Sequence, residues 1–181
     1  TAGTHRNTGV AALLRELLFK TQRYMQDKEE GKNPGFDMKL EAMIPVLRRE
    51  IPLKAHAHRA DDILTSIRIA KEFNVDITLD HCTEGALIAE ELAAEGHSAF
   101  VGPSLGSKSK IELKNKSFET PGILHKAGVP ISIITDAPVI PLQYLPMCAG
   151  MAVSSGLPYE EAWKAITINP ARHIGVGDRV G

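Results

Sequence analysis

The sequence predicts an α/β fold with parallel strands alternating with helices, amounting to half of an eight-stranded (β/α) barrel. Three observations carry that prediction. Short apolar or alternating runs recur between amphipathic segments, the pattern of βαβ units. Three of these runs close on His or Asp, as expected where parallel strands open onto one functional face. No Gly-x-Gly-x-x-Gly and no phosphate loop follows a strand, which weighs against the alternative, an open doubly wound sheet. A complete barrel needs about 250 residues; this chain has 181, with four clear strands.

Residues 9–25 place Val10, Leu13, Leu14, Leu17, Leu18 and Met25 at mixed three- and four-residue spacing, an amphipathic packing helix. Residues 26–36 are charged and contain Gly31, Pro34 and Gly35, so they read as an exposed loop. Asp37 is placed to cap a second helix running to about Arg49, kinked or started late by Pro45. Pro52 to Arg59 then forms a strand feeding a βα loop, followed by a helix over 60–73. Residues 75–81 alternate Val75, Ile77 and Leu79 with Asp76, Thr78 and Asp80, a second strand ending at His81. Thr83 is positioned to cap a helix over 84–95 that stops at Gly96. Residues 98–101 make a third strand, and a long loop from Gly102 to Glu119 follows. Thr120-Pro121 starts a short helix that Gly128 ends, and residues 130–135 form the fourth strand, closing on Asp136. Two further helices are predicted over about 142–155 and 159–168, with a Gly-rich tail from Asn169 that leaves the domain.

Composition narrows the function classes. Lys and Arg total 21 against 22 Asp and Glu, a net charge of −1 that gives no reason to expect nucleic acid or an anionic membrane as partner. Hydrophobic residues at 43% and charged residues at 24% describe an ordinary globular protein. Cys82 and Cys148 form no Cys-x-x-Cys pair and fit a reducing, cytoplasmic compartment. There is no apolar run long enough for a transmembrane helix, and Thr1 to Thr8 lacks an apolar signal core. With no initiator Met and an abrupt end at Val180-Gly181, the sequence is expected to be a piece of a longer chain.

On a strand, residues two apart share a face, so Lys54, His56 and His58 project the same way. His56 (or His58), His81 and Asp136 stand at three strand C-termini, which a parallel barrel gathers onto one face. Two neutral imidazoles and a carboxylate suit Zn²⁺ or another divalent transition metal such as Fe or Mn. A metal-bound water at such a site ionises near neutral pH, and a carboxylate beside it, here Asp136, can move its proton. That is equipment for hydrolysing an amide, an ester or a related C–N bond of a small molecule. Each residue also has a plainer reading: His81 as a satisfied core histidine, Asp136 as a turn residue, His58 as a surface histidine. Lys54 is a candidate for an anionic substrate group or, carboxylated, for bridging two metals, and is otherwise an ordinary strand residue. His5, His97, His125 and His173 fall off this face and are taken as structural. Lys108, Lys110, Lys114 and Lys116 in the long loop are candidates to meet an anionic substrate, or are simply solvated.

The chain resembles the amidohydrolase superfamily of metal-dependent hydrolases, and within it the imidazolonepropionase-related enzymes. The segments that carry the resemblance are GVAALLRE (9–16), LKAHAHRADDI (53–63), LDHCTEG (79–85), ELKN (112–115), TPGILHKAG (120–128), ITDAPVIPLQYLP (134–146) and AITINPARHIGVGDRVG (165–181). The resemblance implies that these four strands are strands five to eight, the C-terminal half of the barrel. His56 then matches the strand-five metal ligand. His81 matches the strand-six histidine, a ligand or a substrate-polarising group. Asp136 matches the strand-eight aspartate that binds metal and shuttles the proton. His58, Arg59 and Lys54 are the accompanying substrate-binding candidates. The expected organisation is a partial barrel over 1–175 and, over 176–181, an exit toward a missing β-sandwich. Arg59 departs from the glutamate that imidazolonepropionases carry there. The His-x-His pair of the family's first strand has no counterpart in this chain. The implied activity, hydrolysis of an amide or cyclic amide, therefore needs a complementing N-terminal segment. The competing readings are a non-catalytic half-barrel that assembles with itself or a partner through its open sheet edges, and a metal-independent ligand-binding barrel.

Overall fold

The computed structural model describes residues 2–181, with side chains described from residue 9 onward. His5 therefore lies outside the described side chains. The chain divides into two compact units: residues 1–53 with 65–76, and residues 54–64 with 77–181.

The first unit is helical. Helix α1 (Ala2–Glu29) is longer than its apolar stripe predicts. Gln26, Asp27, Lys28 and Glu29 extend it because such residues are intrinsically good or tolerable helix formers, and the turn is delayed to Gly31, whose φ is +72°. Helix α2 (Met38–Leu47) starts as expected, with the Asp37 carboxylate accepting from the Lys39 and Leu40 amides, and it runs through Pro45. The two helices are linked by Glu41, which accepts from Tyr24 Oη and Lys28 Nζ, both at 2.6 Å. Leu18 and Thr21 are fully buried here. Phe19 meets Phe73, near the end of helix α3 (Ala60–Phe73), edge to face at 4.7 Å.

The second unit holds a parallel sheet. Among the described residues it has four strands in the order β1 (Leu53–Ala57), β2 (Ile77–His81), β3 (Ser98–Val101) and β4 (Ile131–Ile133). Thr78 pairs with Ser98 and His81 with Val101; Ala99 pairs with Ile131 and Val101 with Ile133. In-register parallel neighbours bring the strand C-termini to one side, which is what positions the candidate site. The helices are α4 (Ala89–Glu95), α5 (Thr120–Ala127), α6 (Leu145–Ser154), α7 (Tyr159–Ile166) and α8 (Ile168–His173). Leu79, Ala99, Leu124, Leu92, Leu157 and Ala165 form a dry core, each 2% exposed or less. Each large aliphatic side chain removed from water there contributes about 1.5–3 kcal/mol.

Three expectations are corrected. The helix expected over 84–95 begins as a 3₁₀ turn, Gly85–Ile88, and Thr83 does not cap it. Gly85 stands so close to Cys82 that an added Cβ would lie 2.6 Å from Sγ, so the turn tightens before α4 can start. The tail does not leave the domain at Asn169: it folds back as α8, with Asn169 Nδ2 donating to the Ile131 carbonyl at 3.0 Å and His173 Nδ1 bonded to Ser132 Oγ at 2.9 Å. Two of the loop lysines are spent within the loop, Lys108 Nζ donating to the Lys114 carbonyl and Lys116 Nζ to the Ser107 carbonyl.

Candidate metal centre

The site starts at β1. Its alternation buries Ala57 and turns Lys54 and His56 to the other face, with His58 just past the strand end. On β2, Asp80 takes the Lys54 face: its Oδ1 accepts from Lys54 Nζ at 3.0 Å. Strict alternation would then send His81 to the opposite side. It does not go there, because His81 and Cys82 both adopt left-handed backbone, with φ of +75° and +48°. That conformation costs roughly 1–2 kcal/mol per non-glycine residue. It is held by bonds from the Cys82 amide to the Ala57 carbonyl (3.0 Å) and from the Gly102 amide to the His81 carbonyl (3.3 Å).

The result is a pair of imidazoles whose nitrogens face each other, the rings inclined at 63° with centroids 4.2 Å apart. His81 Nε2 lies 2.9 Å from His56 Nδ1, and His81 Nδ1 lies 2.7 Å from the Gly102 carbonyl oxygen. A carbonyl can only accept, so His81 Nδ1–H donates to it, and the His81 Nε2 lone pair accepts from His56 Nδ1–H, the proton a bound metal would displace. Gly102 is needed for this arrangement. Its φ is +135°, and an added Cβ would collide with the Ile134 carbonyl oxygen. His58 completes the group: its ring stacks on His81 with centroids 4.5 Å apart, and its Nδ1 lies 2.8 Å from Thr83 Oγ1. The ligand atoms of His56, His58 and His81 all lie within 4.8 Å of one another.

Electrostatics keep two of the imidazoles neutral. Burial, and then the neighbouring His81, push the His56 imidazole below its ordinary value. Burial, followed by the charges of His81 and His56, pushes His58 down to about 4. Both are neutral at pH 7, the state a metal requires. The donor set suits a divalent transition metal: facing neutral nitrogens, one with its tautomer set by an outer carbonyl.

Sequence reasoning placed His56 and His81 together and the structure does the same. It offered His58 both as the alternative ligand to His56 and as a substrate-binding group; in the structure His58 lies in the imidazole cluster. Asp136 is not one of the three. It is exposed at the end of β4, with φ +52° and its carbonyl accepting the Val139 amide, and its charge acts on His56. It lines a cavity of about 350 Å³ with Lys54, Asp80 and Phe100. Lys54 is engaged: besides Asp80 it lies 3.4 Å from Thr78 Oγ1 and 4.3 Å from the centroid of the Phe100 ring. Arg59 forms a two-bond fork with Asp61, both contacts 2.9 Å, at the surface. Sequence reasoning gave Thr83 a capping role in place of its bond to His58, and missed Gly102 and Glu84. Only Gly102 left a signal, a glycine directly after a strand.

Comparisons with known proteins agree with this geometry. The chain is similar to the amidohydrolase tasK of Hapsidospora irregularis, 24% identical over 149 residues, which is 80% of this chain and 15% of the relative. Its structure matches the crystal structure of an amidohydrolase from Thermotoga maritima with a TM-score of 0.92 and 41% identity, over 96% of this chain and 47% of that one. No protein-family model matches the chain. The chain thus has amidohydrolase homologues by sequence and by structure, and it spans about half the length of the solved relative. The half-barrel architecture expected from the sequence is the one observed. No helix among the described residues is long and apolar enough to cross a membrane.

Proposed function

We propose that this chain carries strands five to eight of a metal-dependent hydrolase acting on the C–N bond of an amide or cyclic amide in a small-molecule substrate. The observation that carries the reading is the facing pair, His56 Nδ1 and His81 Nε2 at 2.9 Å, with the second tautomer set by Gly102. The amidohydrolase names of both relatives support it. His56 and His81 would hold the ion, with His58 as the adjoining imidazole. A divalent metal, Zn²⁺ before Fe or Mn, supplies Lewis acidity and a water that ionises near pH 7.

The chain's own residues do the rest. Burial holds His56 and His58 neutral. The Gly102 carbonyl keeps the proton on His81 Nδ1. Asp136, whose charge reaches His56, takes a proton from water and passes it to the leaving nitrogen. Arg59 and Lys54 flank the strand tip and bind the substrate, Lys54 by exchanging its Asp80 partner for an anionic group. Within the amidohydrolases the reading is imidazolonepropionase-related, with Arg59 in place of glutamate pointing to a substrate other than the imidazolone. A complementing N-terminal segment bearing a His-x-His pair, or a second copy of the chain, completes the ligand set. The two buried free thiols, Cys82 and Cys148, suit the reducing cytoplasm.

The test is elemental analysis of the chain prepared without chelator and with Zn²⁺ supplied, alone and with the complementing segment. About one ion per chain retained through desalting is expected, followed by turnover of cyclic-amide substrates when the segment is present. Background metal in both preparations would sink the reading.

A further inference from the structure

Three segments meet at Glu84. Its backbone amide donates to the His58 carbonyl at 2.8 Å. Its carboxylate accepts from the Ala60 amide on Oε2 at 3.0 Å and from Asn115 Nδ2 on Oε1 at 2.9 Å. One residue therefore grips the chain on both sides of Arg59, where the strand tip turns into α3. The same carboxylate ties down the far end of the loop 102–119. The near end of that loop is tied at Gly102, through His81 Nδ1. Between the two ties the loop braces itself with the bonds of Lys108 and Lys116 to its own carbonyls. Bonds to an ionised carboxylate are among the stronger ones available, and losing one donor leaves the remaining groups poorly satisfied.

We infer that Glu84 is a positioning residue that locks the long loop 102–119 and His58 into one arrangement, so that order in the loop and the ligand geometry of the cluster rise and fall together. A simple α3 cap would need only the Ala60 bond. The Asn115 bond gives the Glu84 carboxylate its second role, and the backbone amide, bonded to the His58 carbonyl, sets that carboxylate beside the cluster. The inference leans on the proposed metal site only for its second measurement below.

The first measurement uses metal-free protein. Limited trypsin digestion, with cut sites read by mass spectrometry, reports opening of the loop at Lys108, Lys110, Lys114 and Lys116. Cleavage follows the population of the open form. Glu84→Ala and Asn115→Ala should each raise loop cleavage about tenfold, the change expected for one lost charge-assisted bond. The double variant should be cut no faster than Glu84→Ala alone, because both remove the same tie. Glu84→Gln keeps a single acceptor and should fall between. If Glu84→Ala unfolds the whole chain, cuts appear everywhere, and Asn115→Ala, which leaves the Ala60 bond intact, decides. Loop cleavage at the wild-type rate in Asn115→Ala overturns the inference, as do additive effects in the double variant.

The second measurement is competitive Zn²⁺ titration. Glu84→Ala and Asn115→Ala should each weaken binding about tenfold, within the range for outer partners of metal ligands. Asn115→Ala with opened loop and wild-type affinity would overturn the coupling to the cluster. Wild-type protein that takes no Zn²⁺ would instead refute the proposed function, and the trypsin result would still decide whether Glu84 locks the loop.

Discussion

At the tips of β1 and β2 three imidazoles are packed against one another and anchored by side chains and backbone from other segments, while at the tip of β4 a single carboxylate stands exposed in a turn. Both tips end in ligand-type residues, and both contain a non-glycine residue in left-handed backbone: His81 and Cys82 in one, Asp136 in the other. The difference lies in what holds them. His81 is 4% exposed and its Nδ1 is fixed by a carbonyl from the end of β3. Asp136 is fixed by its own backbone bond to Val139. A ligand set is made by the neighbours that orient it, and being at a strand end supplies only the opportunity.

The largest effect that sharpens this contrast is in metal retention. His81→Ala removes the nitrogen opposite His56 and should abolish bound Zn²⁺ in elemental analysis. Asp136→Ala removes a group outside the imidazole cluster and should weaken Zn²⁺ by less than about tenfold. Equal losses would mean that the carboxylate joins the ligand set on loading, and the contrast between the two tips would fall.

Next in size is the carbonyl behind His81. Gly102→Ala forces a Cβ into the Ile134 carbonyl at a φ of +135°, and should cost about 1–3 kcal/mol or more in urea unfolding. Gly128→Ala is the control: φ is +95° but nothing lies within 4 Å, so only the backbone penalty of about 1 kcal/mol applies. A Gly102 variant no worse than the Gly128 variant would show that the close approach at the tip is slack. A smaller effect is expected from Thr83→Val, which deletes the hydroxyl beside His58 Nδ1 and should cost about 1 kcal/mol in the same assay.

Much of this was legible in the sequence. Strands alternating with helices, the Asp37 cap, the Pro121 start and the Gly128 stop are local signals read from neighbouring residues, and they hold. That His56 and His81 stand at strand ends on one side of the sheet followed from parallel topology; that their rings meet did not. What was not legible depends on backbone departing from its period. Strict alternation after Asp80 turns His81 away from the site, and the modest enrichment of His at positive φ is too weak a signal to predict the turn, with Cys82 giving none. Thr83 has the chemistry of a helix cap and spends it on His58, a choice set by tertiary structure. Asn169 to His173 reads as Gly-rich exit only if one ignores that Asn169 and His173 find partners on β4, at Ile131 and Ser132.

His173 offers the smallest prediction and a way to separate burial from metal chemistry. It is a half-buried imidazole away from the ligand set, bonded to Ser132 Oγ at 2.9 Å and edge-on to Phe100 at 5.6 Å. Burial depresses its pKa below the ordinary 6.5, so the folded protein holds it neutral while the unfolded chain protonates first as pH falls. Its contribution to stability is therefore complete above about pH 6.5 and is lost progressively as pH drops toward its folded value. His56 and His58 are depressed in the same direction, so the acid limb is shared among them. Urea midpoints of His173→Asn between pH 8 and pH 5 should fall less steeply than wild type. Saturating Zn²⁺ should raise the midpoints and, by holding His56 and His58 unprotonated in the folded state, keep their share of the acid limb at least as steep and extend it to lower pH, while leaving the His173 share unchanged, since a metal protects only the imidazoles it occupies. An acid limb unchanged in His173→Asn would mean that its ring takes up a proton in place, and that the Ser132 bond accommodates the charged form.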